Sequence, residues 1–130
     1  MLLLGVSMAT WAIVLVTLLF AVLWVQVLIL HYRGAFHLVW MWEPVVYLPV
    51  LVVMGIIAIF VHGVFLEVYG VALMLSLLMG LSGLVFHIQG IVHEVGGWNL
   101  DNIMVGPPPI FPLSLSLIST IGIIAALFGR

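Results

Sequence analysis

The sequence predicts an all-α polytopic membrane protein of four transmembrane helices, built as two parallel helix-loop-helix repeats. Three observations predict it. Hydrophobic residues make up 67% of the 130 residues and charged ones 5%, with a mean hydropathy of +1.52, against roughly 25% charged residues in globular domains. So few polar groups cannot cover a water-facing surface, so the outside faces lipid or other membrane subunits. Second, two stretches share the spacing His-x-x-Gly-x-x-His: His31-Tyr32-Arg33-Gly34-Ala35-Phe36-His37 and His87-Ile88-Gln89-Gly90-Ile91-Val92-His93. Third, each motif closes a long apolar run and is followed by paired prolines five residues apart, Pro44/Pro49 and Pro107/Pro112. The repeats are 1–63 and 64–130, within one membrane domain.

Composition also excludes. Cys is absent, which removes disulfides, thiolate metal sites and iron–sulfur ligation, so a metal or haem must use His, Met or carboxylate. Net charge is −2, and Arg33 and Arg130 are the only fixed cations. Without a basic patch, nucleic acid is not an expected partner. No Ser-His-Asp order, P-loop or GxGxxG is present.

The first helix is expected from Leu2 to Leu30, about 44 Å against a hydrocarbon core of roughly 30 Å, so it tilts or protrudes. It lacks a cationic leader and a cleavage site, and reads as a retained span. Its hydroxyls at Ser7, Thr10 and Thr17 can bond back to their own helix, leaving Gln26 as the residue that suggests an interhelical contact. The connection His31–Glu43 mixes Tyr32, Arg33, Trp40 and Trp42, the composition of a membrane–water interface. Gly34 is its expected flexible point. Pro44 starts the second helix, with Glu43 where the helix dipole favours a carboxylate. That helix is expected to reach Val61, kinked by Pro49, and the short turn at His62-Gly63 predicts an antiparallel hairpin with the third helix.

The third helix is expected from Val64 to about Phe86, with Glu67 in its first turn. Ser76, Gly80, Gly83 and His87 fall on one face at steps of four, three and four. That face reads either as close packing through small residues or as space for a flat macrocycle beneath an axial His. The corresponding residues of the first repeat, Phe20, Trp24, Val27 and His31, are bulky. Gln89–Gly106 is the longest polar segment, with Glu94, Gly96-Gly97-Trp98-Asn99, Asp101 and Asn102, and reads as a structured loop of the kind that carries binding. The fourth helix is expected from the Pro107-Pro108-Pro109 run to Phe128, with Ser119, Gly122 and Ala126 as a small-residue face. Four spans put both motifs on one side and both termini on the other. Arg33 and Arg130 lie on opposite sides, so the positive-inside rule assigns no orientation.

The candidate cofactor-binding residues are His87, His93, His31, His37 and Trp98, and the candidate metal ligands are His87, His93, Glu94 and Asp101. Axial imidazoles suit a haem or another tetrapyrrole, several His with carboxylates suit iron, zinc or copper, and a His with Trp98 at headgroup level suits a quinone. The plain alternative is interfacial histidines bonding loop carbonyls, repeated by duplication; the spacing matches no standard zinc site. Histidines six apart on an unbroken helix point about 240° apart, so sharing a ligand within one motif requires a break at Gly34 or Gly90.

His31-Tyr32-Arg33-Gly34 with Trp42 and the paired prolines, and His93-Glu94-x-Gly96-Gly97-Trp98-Asn99 with Asn102 and Gly106-Pro107-Pro108, resemble a group of small uncharacterised bacterial four-helix integral membrane proteins. The resemblance implies the four-helix fold, weights the second loop and implies no activity. The expected role is an accessory or anchoring subunit of a larger membrane complex in electron transfer, in the bacterial inner membrane; the alternative is a self-contained His/carboxylate metalloenzyme or b-type cytochrome.

Overall fold

The computed structural model describes residues 1–129, so Arg130, expected on the terminal side, lies outside the described residues. The chain is an all-α bundle with four helices long and apolar enough to cross a membrane.

Residues before the first span are not helical, because Leu4 and Gly5 take positive φ (54° and 79°). They turn the strand β1 (Leu2–Leu3) back antiparallel onto β2 (Val6–Ser7). Ser7 then caps the first helix by accepting from the Thr10 backbone N–H at 3.1 Å, as N-cap serines do. Helix α1 therefore runs Met8–Arg33, starting six residues later and ending three later than expected. The Trp11 indole donates to the Leu3 carbonyl at 3.0 Å and ties the hairpin to the helix.

After α1, Ala35 and Phe36 both adopt left-handed φ (57° and 47°). Gly34 itself has an ordinary φ of −76°, so the reversal expected at the glycine is made by the two residues after it. Gly34 serves close approach instead, since a Cβ there would lie 2.9 Å from the terminal methyl of Met41. A 3₁₀ turn, Val39–Met41, leads into α2 (Trp42–Phe60).

Helix α3 spans Val64–Gln89 and continues as a π-helical segment, Gly90–Val95. Gly90 is αR with φ −59°, so no break occurs in the middle of the second motif; Gly96 and Gly97, at φ 116° and 132°, end the helix instead. The second loop holds a short helix, α4 (Leu100–Val105), before α5 (Ile110–Gly129).

The spans pack in the cyclic order α1–α2–α3–α5, most extensively α3 on α5 and most thinly α2 on α3. Phe20, Val16, Leu48, Leu51, Leu66, Tyr69 and Leu73 are fully buried at the centre. Gly55 makes room there: a Cβ would collide with the Thr17 hydroxyl and lie 3.2 Å from the Tyr69 hydroxyl. Gln26 faces outward and makes no contact of the interhelical kind its sequence position suggested within the molecule.

Candidate functional site at the histidine end of the bundle

Pro49 has a direct structural consequence. A helical proline lacks the N–H that would bond the carbonyl four residues earlier. Pro49 lies within α2 without ending it, and the carbonyl it leaves vacant is that of Val45. The Trp24 indole of α1 donates to that carbonyl at 2.9 Å. In the second repeat Pro112 is buried in the first turn of α5, where a helix N–H has no intrahelical partner; the first backbone bond of α5 runs from the Leu113 N–H to the Pro109 carbonyl, and the Pro108 carbonyl lies ahead of it. His87 Nδ1 meets that carbonyl at 2.7 Å. In both places a ring N–H of the preceding long helix satisfies a part-buried backbone carbonyl.

A carbonyl oxygen only accepts, so Nδ1 of His87 carries the proton and Nε2 of the neutral ring keeps its lone pair. His31 is half-buried, with the Met41 backbone beside its ring. Its Nδ1 is buried without a hydrogen-bond partner. His31 and His87 are thus the two half-buried histidines of the motifs, at the same end of the bundle. His37 is exposed and spends its Nδ1 on the Gly34 carbonyl at 2.9 Å; His93 is exposed on the π-helical segment.

The small-residue face of α3 is filled. The Ser76 and Ser119 hydroxyls bond at 2.6 Å, Ser116 donates to the Leu77 carbonyl at 3.0 Å, and Gly80 lies against Ser116 and the Pro112 carbonyl. Further up, a Cβ at Gly83 would stand 3.2 Å from Pro112 Cβ, and one at Gly90 would stand 3.0 Å from Pro107 Cγ. The face leading to His87 is thus the seat of α5. Of the two readings of this face, close packing through small residues is the one these contacts match.

Glu94, Trp98 and Asp101 are exposed, and among the described residues no three His, Asp or Glu gather into a set that could hold a metal ion. The proposed ligands His87, His93, Glu94 and Asp101 are not brought together, because the π-helical continuation carries His93 and Glu94 outward while His87 turns inward to Pro108. The loop's asparagines are structural: Asn99 caps α4 by accepting from the Asn102 N–H at 2.9 Å, and the Asn102 amide donates to the Gly97 carbonyl at 2.9 Å.

Sequence reasoning gave the aromatics near the first motif only an interfacial placement. Phe36 meets the His31 ring edge-on, with centroids 6.3 Å apart, and stacks on Trp42 at 3.9 Å. Trp40 stacks on Phe86 of α3 at 6.0 Å. No sequence periodicity announces these pairs, because they join the first connection to helices on different sides of it. No protein-family model, curated protein or solved structure matches the chain.

Proposed function

We propose that this chain is a small accessory or anchoring subunit of a larger electron-transfer complex of the membrane, respiratory or photosynthetic, with a quinone or His-ligated cofactor contacted at the His31/His87 end. The observation that carries the subunit reading is the outer face of α4. Leu100, Met104 and Val105 are 73%, 76% and 77% exposed beside the exposed Trp98. They lie on a loop that follows a helix of about 39 Å with a further π-helical turn, longer than the roughly 30 Å core. An apolar patch carried past the hydrocarbon calls for a covering partner. Gln26 adds support, since an outward amide on a membrane helix gains most from a hydrogen-bonding side chain on a neighbouring span.

The cofactor half of the reading rests on the lone pair left on His87 Nε2, an acceptor suited to a quinol hydroxyl, and on the unbonded buried Nδ1 of His31 at the same end of the bundle. Purification in mild detergent tests the subunit reading. A partner should co-purify, and replacing Leu100, Met104 and Val105 together by Ser should release it while helix content stays unchanged; a monodisperse, partner-free wild-type protein counts strongly against it. An absorbance spectrum and elemental analysis test the cofactor half. A Soret band lost in His87→Ala would favour a b-type cytochrome acting in its own right, and bound metal without colour would favour a metalloenzyme.

A further inference from the structure

A shallow, widely open surface groove of about 390 Å³ lies at the histidine end, lined by Trp40, Trp42, Glu43, Val46, Tyr47 and Met79 among others. It lies along the α2–α3 seam, the thinnest between neighbouring spans. Its upper wall is electron-rich and negative: two indoles and one carboxylate, with no Lys or Arg among the lining residues. Both indoles are held by ring stacking, Trp42 on Phe36 and Trp40 on Phe86. The Tyr47 hydroxyl donates a hydrogen bond to the Ala72 carbonyl at 2.8 Å, so its oxygen keeps lone pairs free to accept. Its lower wall is apolar. Met79 stands seven residues below Phe86 on α3, about 10 Å deeper along the helix, and with Val46 it completes the lining.

We propose that this groove binds a phospholipid whose headgroup carries an ammonium, with the cation between Trp40, Trp42 and Glu43 and an acyl chain running down past Val46 and Met79. Indole faces attract cations within about 6 Å of the ring, and a carboxylate on the same wall adds a charge-assisted hydrogen bond to an N–H donor. An anionic headgroup meets repulsion from Glu43 with no compensating cation. A lipid is the occupant because the site is polar at headgroup level and continues into an apolar track that opens along the bundle side.

Native mass spectrometry of the detergent-purified full chain, titrated with phosphatidylethanolamine and with phosphatidylglycerol of identical acyl chains, tests this. Phosphatidylethanolamine should be retained about ten-fold more strongly, and Glu43→Gln should remove most of that preference, the loss expected when about 1.4 kcal/mol of charge-assisted contact disappears. Trp40→Leu should weaken retention of phosphatidylethanolamine and leave phosphatidylglycerol unchanged. Glu43 and Trp40 are exposed, so both variants should keep wild-type helix content by circular dichroism. Equal retention of the two lipids by the wild type, or a preference unaltered in Glu43→Gln, would overturn the proposal and leave the tryptophans as an ordinary interfacial belt.

Discussion

His87 donates its Nδ1–H at 2.7 Å to the carbonyl of Pro108, just ahead of α5. Trp24 likewise donates its indole N–H to the carbonyl of Val45, which Pro49, four residues on, has no N–H to use. Helical prolines are usually discussed as kinks; here Pro49 frees a binding point for a neighbouring helix.

This relation predicts rescue. His87→Phe and Trp24→Phe each leave a buried carbonyl unpaired and should each cost about 1–3 kcal/mol in unfolding free energy. Pro49→Ala should recover part of the Trp24→Phe loss, because Ala restores the backbone donor, whereas Pro112→Ala, in the first turn of α5, should recover none of the His87→Phe loss. Denaturant titration of the four single and two double variants in mixed micelles measures it; an additive loss in the Trp24/Pro49 cycle would show that the freed carbonyl is not what the indole stabilises.

The glycines of α3 should respond in a fixed order. At Gly80 an added Cβ collides with Ser116 and stands 2.8 Å from the Pro112 carbonyl, backbone that cannot give, so Gly80→Ala should cost about 1–3 kcal/mol. At Gly83 the nearest atom is at 3.2 Å and Gly83→Ala should cost less, whereas Gly83→Leu should separate α5 from α3. Gly70 has nothing within 4 Å, so Gly70→Ala should be neutral or stabilising by up to about 1 kcal/mol through helix propensity. Thermal unfolding midpoints of the four variants test the order.

Ser76 and Ser119 form the buried hydroxyl pair between α3 and α5. Each also donates or can donate to its own helix, Ser76 to Leu73 and Ser119 to Leu115. The coupling in a Ser76→Ala/Ser119→Ala cycle should therefore be small, about 0.6 kcal/mol, as for interhelical hydrogen bonds in membranes generally. A coupling above about 2 kcal/mol would mean the pair, not packing, holds the two helices together.

The spans place both loops on one side. Cysteines introduced beside Gly34 and Gly97 should react with an impermeant maleimide from the same side of sealed vesicles, and one at His62 from the other. Labelling of the Gly34 and Gly97 positions from opposite sides would refute the topology.

The number of spans, the hairpin between the second and third and the small-residue contact of the third with the fourth were legible because each is local. Apolar run length, a turn residue and an i, i+3, i+4 pattern state them directly. Boundaries shifted where a competing local signal won: the Leu4-Gly5 turn and the Ser7 cap moved the start of α1, and Gly96-Gly97 rather than Gly90 ended the third span. The motif histidines were visible as a repeat, but their different surroundings were not. His87 turns inward because the start of the fourth span sets the Pro108 carbonyl against it, and His93 leaves because the chain stays helical through Gly90. Only tertiary structure decided what Pro49 does, since a vacant carbonyl becomes a binding point only when another helix sets a ring N–H within reach.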